Sequence, residues 1–215
     1  MKRYDAVLFD LLTALLDSWT LWNDVAGSEA DGRAWRAAYL RITYGCGEYR
    51  PYETLVAEAA ASCGLSASLA RSLDERWDEL RPWPDAPALL EALSHDHRLG
   101  VVTNCSERLG QRAAARLGVP LDCVITAERA GAYKPEPAPY RMALDALGLP
   151  AARVLFVAGS AFDLFGTARV GLPTVWHNRV GLALPAEAPA PLRQAPTLEP
   201  LLAPLLDGSG QMTTS

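Results

Sequence analysis

The chain has 215 residues, of which 50% are hydrophobic and 21% charged, and its formal net charge is −5. This length suffices for one core with a small inserted domain, and the acidic balance argues against nucleic acid or an anionic membrane as a partner. No apolar run approaches the ~20 residues that span a bilayer, and the four cysteines form no CxxC pair. The sequence therefore predicts a cytoplasmic protein with reduced thiols.

The first apolar run, residues 7–9, ends abruptly at a single carboxylate, Asp10. Short apolar runs and helical patterns alternate further along the chain, at residues 99–102, 108–117, 123–125, 137–147, 154–157, 162–170 and 173–176. Apolar runs without strict alternation are typical of strands buried on both faces of a parallel sheet. The pattern predicts an α/β fold, a doubly wound, Rossmann-like parallel sheet.

One long stretch, residues 18–84, has no strand signal and interrupts this alternation. It has helical patterns at residues 32–44, 51–63 and 66–80, and it closes with a proline-rich linker at 81–84. The sequence therefore predicts a helical cap, residues 18–84, inserted into a core made of residues 1–17 and 85–207. Residues 208–215 are predicted to form a disordered tail.

Polar side chains follow the ends of several predicted strands. They are Asp10 after the first strand, Thr103 and Asn104 after the second, Lys134 before a helix and Asp163 after the fourth strand. Because sites in open α/β sheets form at the carboxyl ends of the strands, we expect these side chains to converge.

This set of side chains predicts covalent catalysis. A carboxylate such as Asp10 can attack an electrophilic centre and form an ester, and a lysine such as Lys134 would keep that carboxylate ionised. Thr103 and Asn104 are expected to donate hydrogen bonds to the substrate or the nucleophile. Asp163 is expected to hold Lys134 or to activate the water that cleaves the ester.

With these motifs in this order, the chain resembles the haloacid dehalogenase (HAD) superfamily. The matching features are the run ending in Asp10, the run ending in Thr103-Asn104, Lys134 before Pro135, and the loop with Asp163. The position of the predicted cap also resembles the superfamily members that carry a helical cap after the first motif. The resemblance implies a HAD core with an inserted cap.

Two positions distinguish branches of this superfamily. HAD phosphatases place a second aspartate two residues after the nucleophile, where this chain has Leu12, and a Gly-Asp pair in the fourth loop, where it has Gly159-Ser160. The first aspartate serves as a general acid and the second as a ligand of Mg²⁺. Both losses favour the L-2-haloacid dehalogenase branch, in which a halide leaves from carbon and no metal or other cofactor is needed.

The resemblance to that branch implies further site residues. Leu40-Arg41 is similar to the family's cap Leu-Arg pair, so Arg41 is expected to bind the anionic end of a small carboxylic acid or the departing halide. Tyr140 and the Trp176–Gly181 stretch also resemble the branch. The expected pocket further includes Leu12, Trp19 and Phe162, and the resemblance implies a homodimer.

The chain departs from the dehalogenase pattern at two loops. Leu12-Thr13-Ala14 replaces aromatic-Gly-Thr, and residues 158–163 replace Ser-Ser-Asn-Ala-Trp-Asp. HAD hydrolases similar to the dehalogenases open the strained ring of azetidine-2-carboxylate by cleaving C–N. Trp19 and Trp22 would offer such a ring nitrogen a cation–π face, or they simply pack the cap on the core.

The sequence thus predicts a metal-independent hydrolase that attacks the α-carbon of a small 2-substituted carboxylic acid through an ester on Asp10. Haloacid dehalogenation is the leading hypothesis, and C–N ring opening of a cyclic amino acid is the first alternative. A Mg²⁺-dependent phosphatase and a non-catalytic HAD-like binding domain are the other two.

Overall fold

A parallel β-sheet forms the centre of the computed structural model, which describes residues 3–206. Its strands are β1 (Ala6–Asp10), β2 (Arg98–Thr103), β3 (Cys123–Thr126), β4 (Val154–Ala158), β5 (Thr174–His177) and β6 (Gln194–Ala195), in the order β3-β2-β1-β4-β5-β6. Every residue of β1 and β4 is buried, which explains their uninterrupted apolar sequences. The predicted α/β, Rossmann-like fold class is confirmed.

Helices cover both faces of the sheet and also form most of residues 18–79. They are α1 (Ser18–Ala26), α2 (Glu29–Tyr44), α3 (Tyr52–Ser62), α4 (Leu69–Glu75), α5 (Ala86–Ser94), α6 (Glu107–Ala115), α7 (Ala127–Ala130), α8 (Pro137–Leu147), α9 (Asp163–Arg169) and α10 (Glu199–Leu206). Local signals fix several ends: the Ser28 hydroxyl caps α2, and Gly148, at a φ of 62°, ends α8. No helix within the described range is long and apolar enough to cross a membrane.

The prediction of one helix over residues 66–80 is wrong. The chain forms α4 and then a short 3₁₀ turn, Trp77–Glu79. The Trp77 side chain is fully buried, and its indole N–H donates to the carbonyl of Leu109 at 2.9 Å. This tertiary contact outweighs the helical preference of the local sequence.

Two further elements differ from the sequence-based expectation. Residues 18–26 form α1, although the sequence predicts no helix before residue 32. The proline-punctuated C-terminal segment forms β6 and α10. The helix α10 contains Pro204 and packs against α5, β5 and β6. The predicted tail, 208–215, lies outside the described residues.

The segment 18–84, called the cap segment below, leaves and rejoins the core at adjacent points. Leu16 and Pro82 form an isolated antiparallel bridge, and the Trp83 N–H donates to the carbonyl of Leu15 at 2.9 Å. An aromatic cluster fills the interior of the cap segment. Its members are Trp22, Trp35, Tyr39, Tyr52 and Trp77. Trp22 is therefore a packing residue, with its ring 4.5 Å from that of Trp35.

C-terminal residues hold the point at which the cap segment rejoins the core. Asp85 accepts hydrogen bonds from Arg179 at 3.3 Å and from the N–H of Leu198 at 2.9 Å. The Arg179 guanidinium also lies 4.9 Å from the ring centre of Trp83. The boundary at residue 84 is thus fixed by contacts from the other end of the chain, while the division into two domains stays a prediction.

Candidate active site

The side chains predicted at the strand ends converge on one cavity. β1 lies between β2 and β4, where the order of the strands reverses, and such switch points form crevices at the carboxyl edge of the sheet. The cavity has a volume of about 50 Å³, room for only a few water molecules. Its lining residues are Asp10, Leu12, Thr13, Trp19, Arg36, Tyr39, Leu40, Tyr44, Thr103, Asn104, Lys134, Gly159, Ser160, Asp163 and Leu182.

Asp10 is buried and held on both of its carboxylate oxygens. The Lys134 ammonium donates to Oδ1 at 2.7 Å. Oδ2 accepts from the Thr13 hydroxyl at 2.5 Å, the Thr13 N–H at 2.9 Å and the Ala14 N–H at 3.3 Å. Burial by itself would raise the pKa of Asp10, but the Lys134 charge and these donors together hold it below its ordinary value. Asp10 is therefore an ionised carboxylate at neutral pH.

Asp163 contacts the same lysine, but its pKa is shifted upward, in the direction opposite to that of Asp10. Its Oδ1 accepts from the Tyr140 hydroxyl at 2.7 Å and lies 3.0 Å from the Lys134 ammonium. Its Oδ2 is buried without a hydrogen-bond donor. Burial raises the pKa of Asp163 and the nearby Asp10 charge adds to the rise, and Lys134 only partly offsets them. Asp163 therefore holds a proton more readily than Asp10 does, and its Oδ2 is free to accept a hydrogen bond.

Lys134 is positioned through its backbone by Asn104. The Asn104 side chain accepts from the Lys134 N–H at 2.7 Å and donates to the Lys134 carbonyl at 3.1 Å. Burial would lower the pKa of Lys134, but the charges of Asp10 and Asp163 raise it above its ordinary value. The Asn104 amide therefore binds the backbone of Lys134 in this structure. Thr103 lines the cavity, and its hydroxyl donates to the thiol of Cys105.

A magnesium ion, which a HAD phosphatase would require, does not fit these residues. Mg²⁺ takes oxygen ligands in near-octahedral geometry, but the Lys134 nitrogen already lies within 3.0 Å of an oxygen of each carboxylate. At the two positions where the phosphatases have aspartates, Leu12 has no side-chain oxygen and Ser160 has a hydroxyl instead of a carboxylate. The carboxylates are compensated by a lysine rather than arranged as metal ligands.

Of the predicted pocket residues, Leu12 and Trp19 line the cavity and Phe162 does not. The Phe162 ring is 37% exposed and stacks on Tyr44 with ring centres 4.2 Å apart. The Tyr44 hydroxyl is 3.1 Å from that of Ser160. Phe162 thus supports the closure of the cavity from outside, because it packs on a residue that lines it.

The structure does not bring Arg41 to the cavity. Its side chain is exposed on α2 and does not line the cavity, whereas Arg36, five residues earlier, is 5% exposed and does. Five residues turn a helix by about 140°, so the two arginines point in different directions. Spacing along the helix is the signal that could have identified Arg36. Arg36 precedes Tyr39 by three residues and Leu40 by four, so it shares their face of α2, which is directed to the core.

Arg36 is a buried cation held by neutral groups. Its guanidinium donates to the Ser18 hydroxyl at 2.6 Å and lies 4.4 Å from the ring centre of Trp19 and 5.5 Å from that of Trp22. Burial lowers the pKa of Arg36. Within residues 3–206 no carboxylate forms an ion pair with it. A buried cation that forms no ion pair with a carboxylate favours an anionic ligand in the adjoining cavity.

A family model described as haloacid dehalogenase-like hydrolase matches residues 4–171. The chain belongs to the haloacid dehalogenase-like hydrolases. It is 31% identical to (S)-2-haloacid dehalogenase 4A of Burkholderia cepacia over 193 residues, 82% of this chain and 84% of that protein. It is 26% identical to haloacetate dehalogenase H-2 of Moraxella sp. (strain B) over 220 residues, 94% of this chain and 98% of that protein.

Solved structures agree with this assignment. A dehalogenase crystallised as an intermediate complex superposes with a TM-score of 0.82 at 28% identity, covering 94% of this chain and 97% of that chain. This haloacid dehalogenase-like protein is therefore a hydrolase of the L-2-haloacid dehalogenase-like branch, as the sequence predicts.

Proposed function

We propose that this protein hydrolyses small 2-substituted carboxylic acids by attacking the α-carbon with Asp10. The observation that carries the proposal is Arg36, a buried cation without a carboxylate partner in the described chain, in the same cavity as the ionised nucleophile. The guanidinium would bind the substrate carboxylate, which fixes the α-carbon within reach of Asp10. The role that the sequence assigned to Arg41 thus passes to Arg36.

The reaction has two steps. Asp10 Oδ1 forms a bond to the α-carbon while the bond to the leaving group breaks, and the leaving group departs with the electron pair. Asp163 then takes a proton from a water molecule that adds to the Asp10 carboxyl carbon. The ester bond breaks, the product alkoxide takes the proton from Asp163, and Asp10, now with one oxygen from water, releases the second proton of that water to solvent and returns as a carboxylate. The product is a 2-hydroxy acid with inverted configuration.

Halide is the leaving group that we propose. It needs no general acid, and Leu12 stands where a phosphatase has its acid. The relatives named above are a 2-haloacid and a haloacetate dehalogenase, and the small cavity suits acids of two or three carbon atoms. The expected substrate is a short (S)-2-haloacid.

One observation favours a second candidate, C–N ring opening of a cyclic amino acid. The buried Asp163 Oδ2 has no donor, and a protonated ring nitrogen would supply one. When all four are ionised, the charges of Asp10, Asp163, Lys134 and Arg36 add up to zero. A zwitterionic substrate has no net charge, so the site would stay neutral when it binds. The predicted cation–π face of Trp19 supports this candidate less, because Arg36 already covers one face of that ring.

A single turnover in ¹⁸O-water tests the proposal. The enzyme is incubated with EDTA and either (S)-2-chloropropionate or azetidine-2-carboxylate, and the peptide containing Asp10 is analysed by mass spectrometry. We expect heavy oxygen in Asp10 and a 2-hydroxy acid from the chloro acid, whereas product from the cyclic acid alone would select C–N cleavage. Asp10→Asn is the control without a nucleophile. Heavy oxygen only in the product would contradict the ester mechanism.

A further inference from the structure

The turn after β1 surrounds one oxygen of Asp10, whereas the other is bonded to Lys134 outside the turn. Oδ2 accepts three hydrogen bonds from the turn, two from Thr13 and one from the Ala14 N–H. Oδ1 accepts one, from Lys134. The two oxygens of the nucleophile are therefore chemically distinct before any substrate binds.

The donors of this turn are held in place by bonds to its carbonyl groups. The Leu12 carbonyl accepts from the Ser18 hydroxyl, and the Thr13 carbonyl accepts from the indole N–H of Trp83 at 3.0 Å. The Ala14 carbonyl accepts from the ring Nδ1–H of His177 at 2.8 Å. Because each carbonyl is directed away by a buried partner, the N–H groups of Thr13 and Ala14 remain directed at Asp10. Such donors need no reorganisation during the reaction.

Gly159 provides the space in which the Thr13 hydroxyl lies. A Cβ at position 159 would overlap that hydroxyl and the Ala14 nitrogen. Any side chain there would displace the donors from Asp10. The position of the Thr13 hydroxyl in the turn after β1 thus requires a glycine at position 159, in the loop after β4.

We propose that Oδ1 is the attacking oxygen and that Thr13, with the N–H of Ala14, forms a preformed oxyanion site for Oδ2 during ester hydrolysis. This inference rests on the proposed function. When Oδ1 bonds to the α-carbon, Oδ2 becomes the carbonyl oxygen of an ester and loses its negative charge. When water adds to the carboxyl carbon, the carbonyl electron pair moves to Oδ2, and the charge returns among three donors.

The two steps therefore depend on Thr13 in opposite ways. Its hydroxyl stabilises the carboxylate before substitution, so it slightly opposes the first step. It stabilises the tetrahedral intermediate of the second step, where loss of one such donor costs ~10²–10³-fold in rate. Thr13 is thus a catalytic residue for hydrolysis of the ester and not for its formation.

Thr13→Val tests this inference, because valine has nearly the shape of threonine without the hydroxyl, and Thr13→Ser is the matched control that keeps it. Rapid-quench turnover of (S)-2-chloropropionate is followed by intact mass. We expect ester hydrolysis in Thr13→Val to slow by ~10²-fold and the ester to accumulate, with ester formation near the wild-type rate and Thr13→Ser close to wild type.

Other outcomes separate the two proposals. Equal slowing of both steps, no slowing, or equal defects in the valine and serine variants would overturn the role of Thr13 while the ester mechanism stands. Absence of an ester in the wild type would overturn the proposed function instead. A substrate-free measurement then still examines the contact: ¹³C NMR titration should show a higher pKa for Asp10 in Thr13→Val, and an unchanged pKa would refute the hydrogen bond.

Discussion

The cavity has a core wall and a cap wall, and each contains one buried cation. Lys134, on the core wall, lies between two carboxylates of the protein itself. Arg36, on the cap wall, rests on a hydroxyl and two indole rings. Lys134 holds the pKa of Asp10 below its ordinary value, whereas Arg36 forms no ion pair with a carboxylate of the described residues, and its proposed role is to bind the substrate carboxylate. Four variants test this contrast.

The largest effect is expected from Lys134→Met, which removes the compensation on the core wall. Two buried carboxylates would be left without a cation, and breaking a buried pair costs ~3–5 kcal/mol of stability. The pKa of Asp10 would rise, and turnover should fall by at least ~10²-fold. Chemical denaturation at pH 7 and steady-state kinetics measure both.

Arg33→Met is the control for that variant. Arg33 pairs with Glu29 at 2.7 Å on the surface of α2, with half of its side chain exposed. Loss of such a pair costs at most ~1 kcal/mol. A stability loss of similar size in both variants would show that the buried cluster has no special electrostatic role.

The next effect is expected from Arg36→Met, which removes the anion site but keeps apolar contact with the indoles. A hydrogen bond to a charged group contributes ~1.5–3 kcal/mol, so KM should rise about 10- to 100-fold, with a smaller change in kcat. The matched variant on the same helix, Arg41→Met, should leave KM unchanged. A reversed result would return the binding role to Arg41.

Tyr140→Phe tests the role of Asp163 on the core wall. The hydroxyl donates to Asp163, so its loss should raise the pKa of that carboxyl further. Asp163 must be ionised to accept a proton from water, so activity is lost as the pH falls through its pKa. In the variant, this acid limb of the pH–activity profile should move to higher pH. Tyr133→Phe, whose hydroxyl donates to the Arg50 carbonyl outside the cavity, should not move the limb.

The smallest effect is expected from Trp19→Phe on the cap wall. The smaller ring weakens the cation–π contact with Arg36 by ~0.5–1 kcal/mol, so KM should rise about 2- to 5-fold. The double variant with Arg36→Met should then show no further rise, because the ring acts through the guanidinium. Additive effects would mean that Trp19 touches the substrate itself.

The core wall was predictable from the sequence and the cap wall was not. Asp10, Lys134 and Asp163 follow elements of a parallel sheet, and topology alone brings such ends together. Arg36 is set by the rotation of α2 on its aromatic neighbours, which depends on contacts such as that between Trp22 and Trp35. A dipeptide match at Leu40-Arg41 contains no information on that rotation.

Thr13 shows a second limit of sequence-based inference. The sequence indicates a displaced threonine after the nucleophile, but whether its hydroxyl reaches Asp10 depends on space made by Gly159, in a loop that is distant in sequence. The same reason applies to Trp77, whose contact with Leu109 ends the predicted helix over residues 66–80 early. Local sequence patterns predict most helices and strands, whereas contacts between distant segments decide where those helices and strands end.

The contacts of Arg179 and Leu198 with Asp85 link the first motif to a part of the chain that is distant from it in sequence. Trp83, under the Arg179 guanidinium, donates to the Thr13 carbonyl, so the geometry of the turn after β1 depends on those distant residues. A variant truncated after α9 would still contain Asp10, Lys134 and Asp163. It would lack the residues that pack on Trp83 and bind Asp85, and we expect it to hold Asp10 less firmly than the longer chain does.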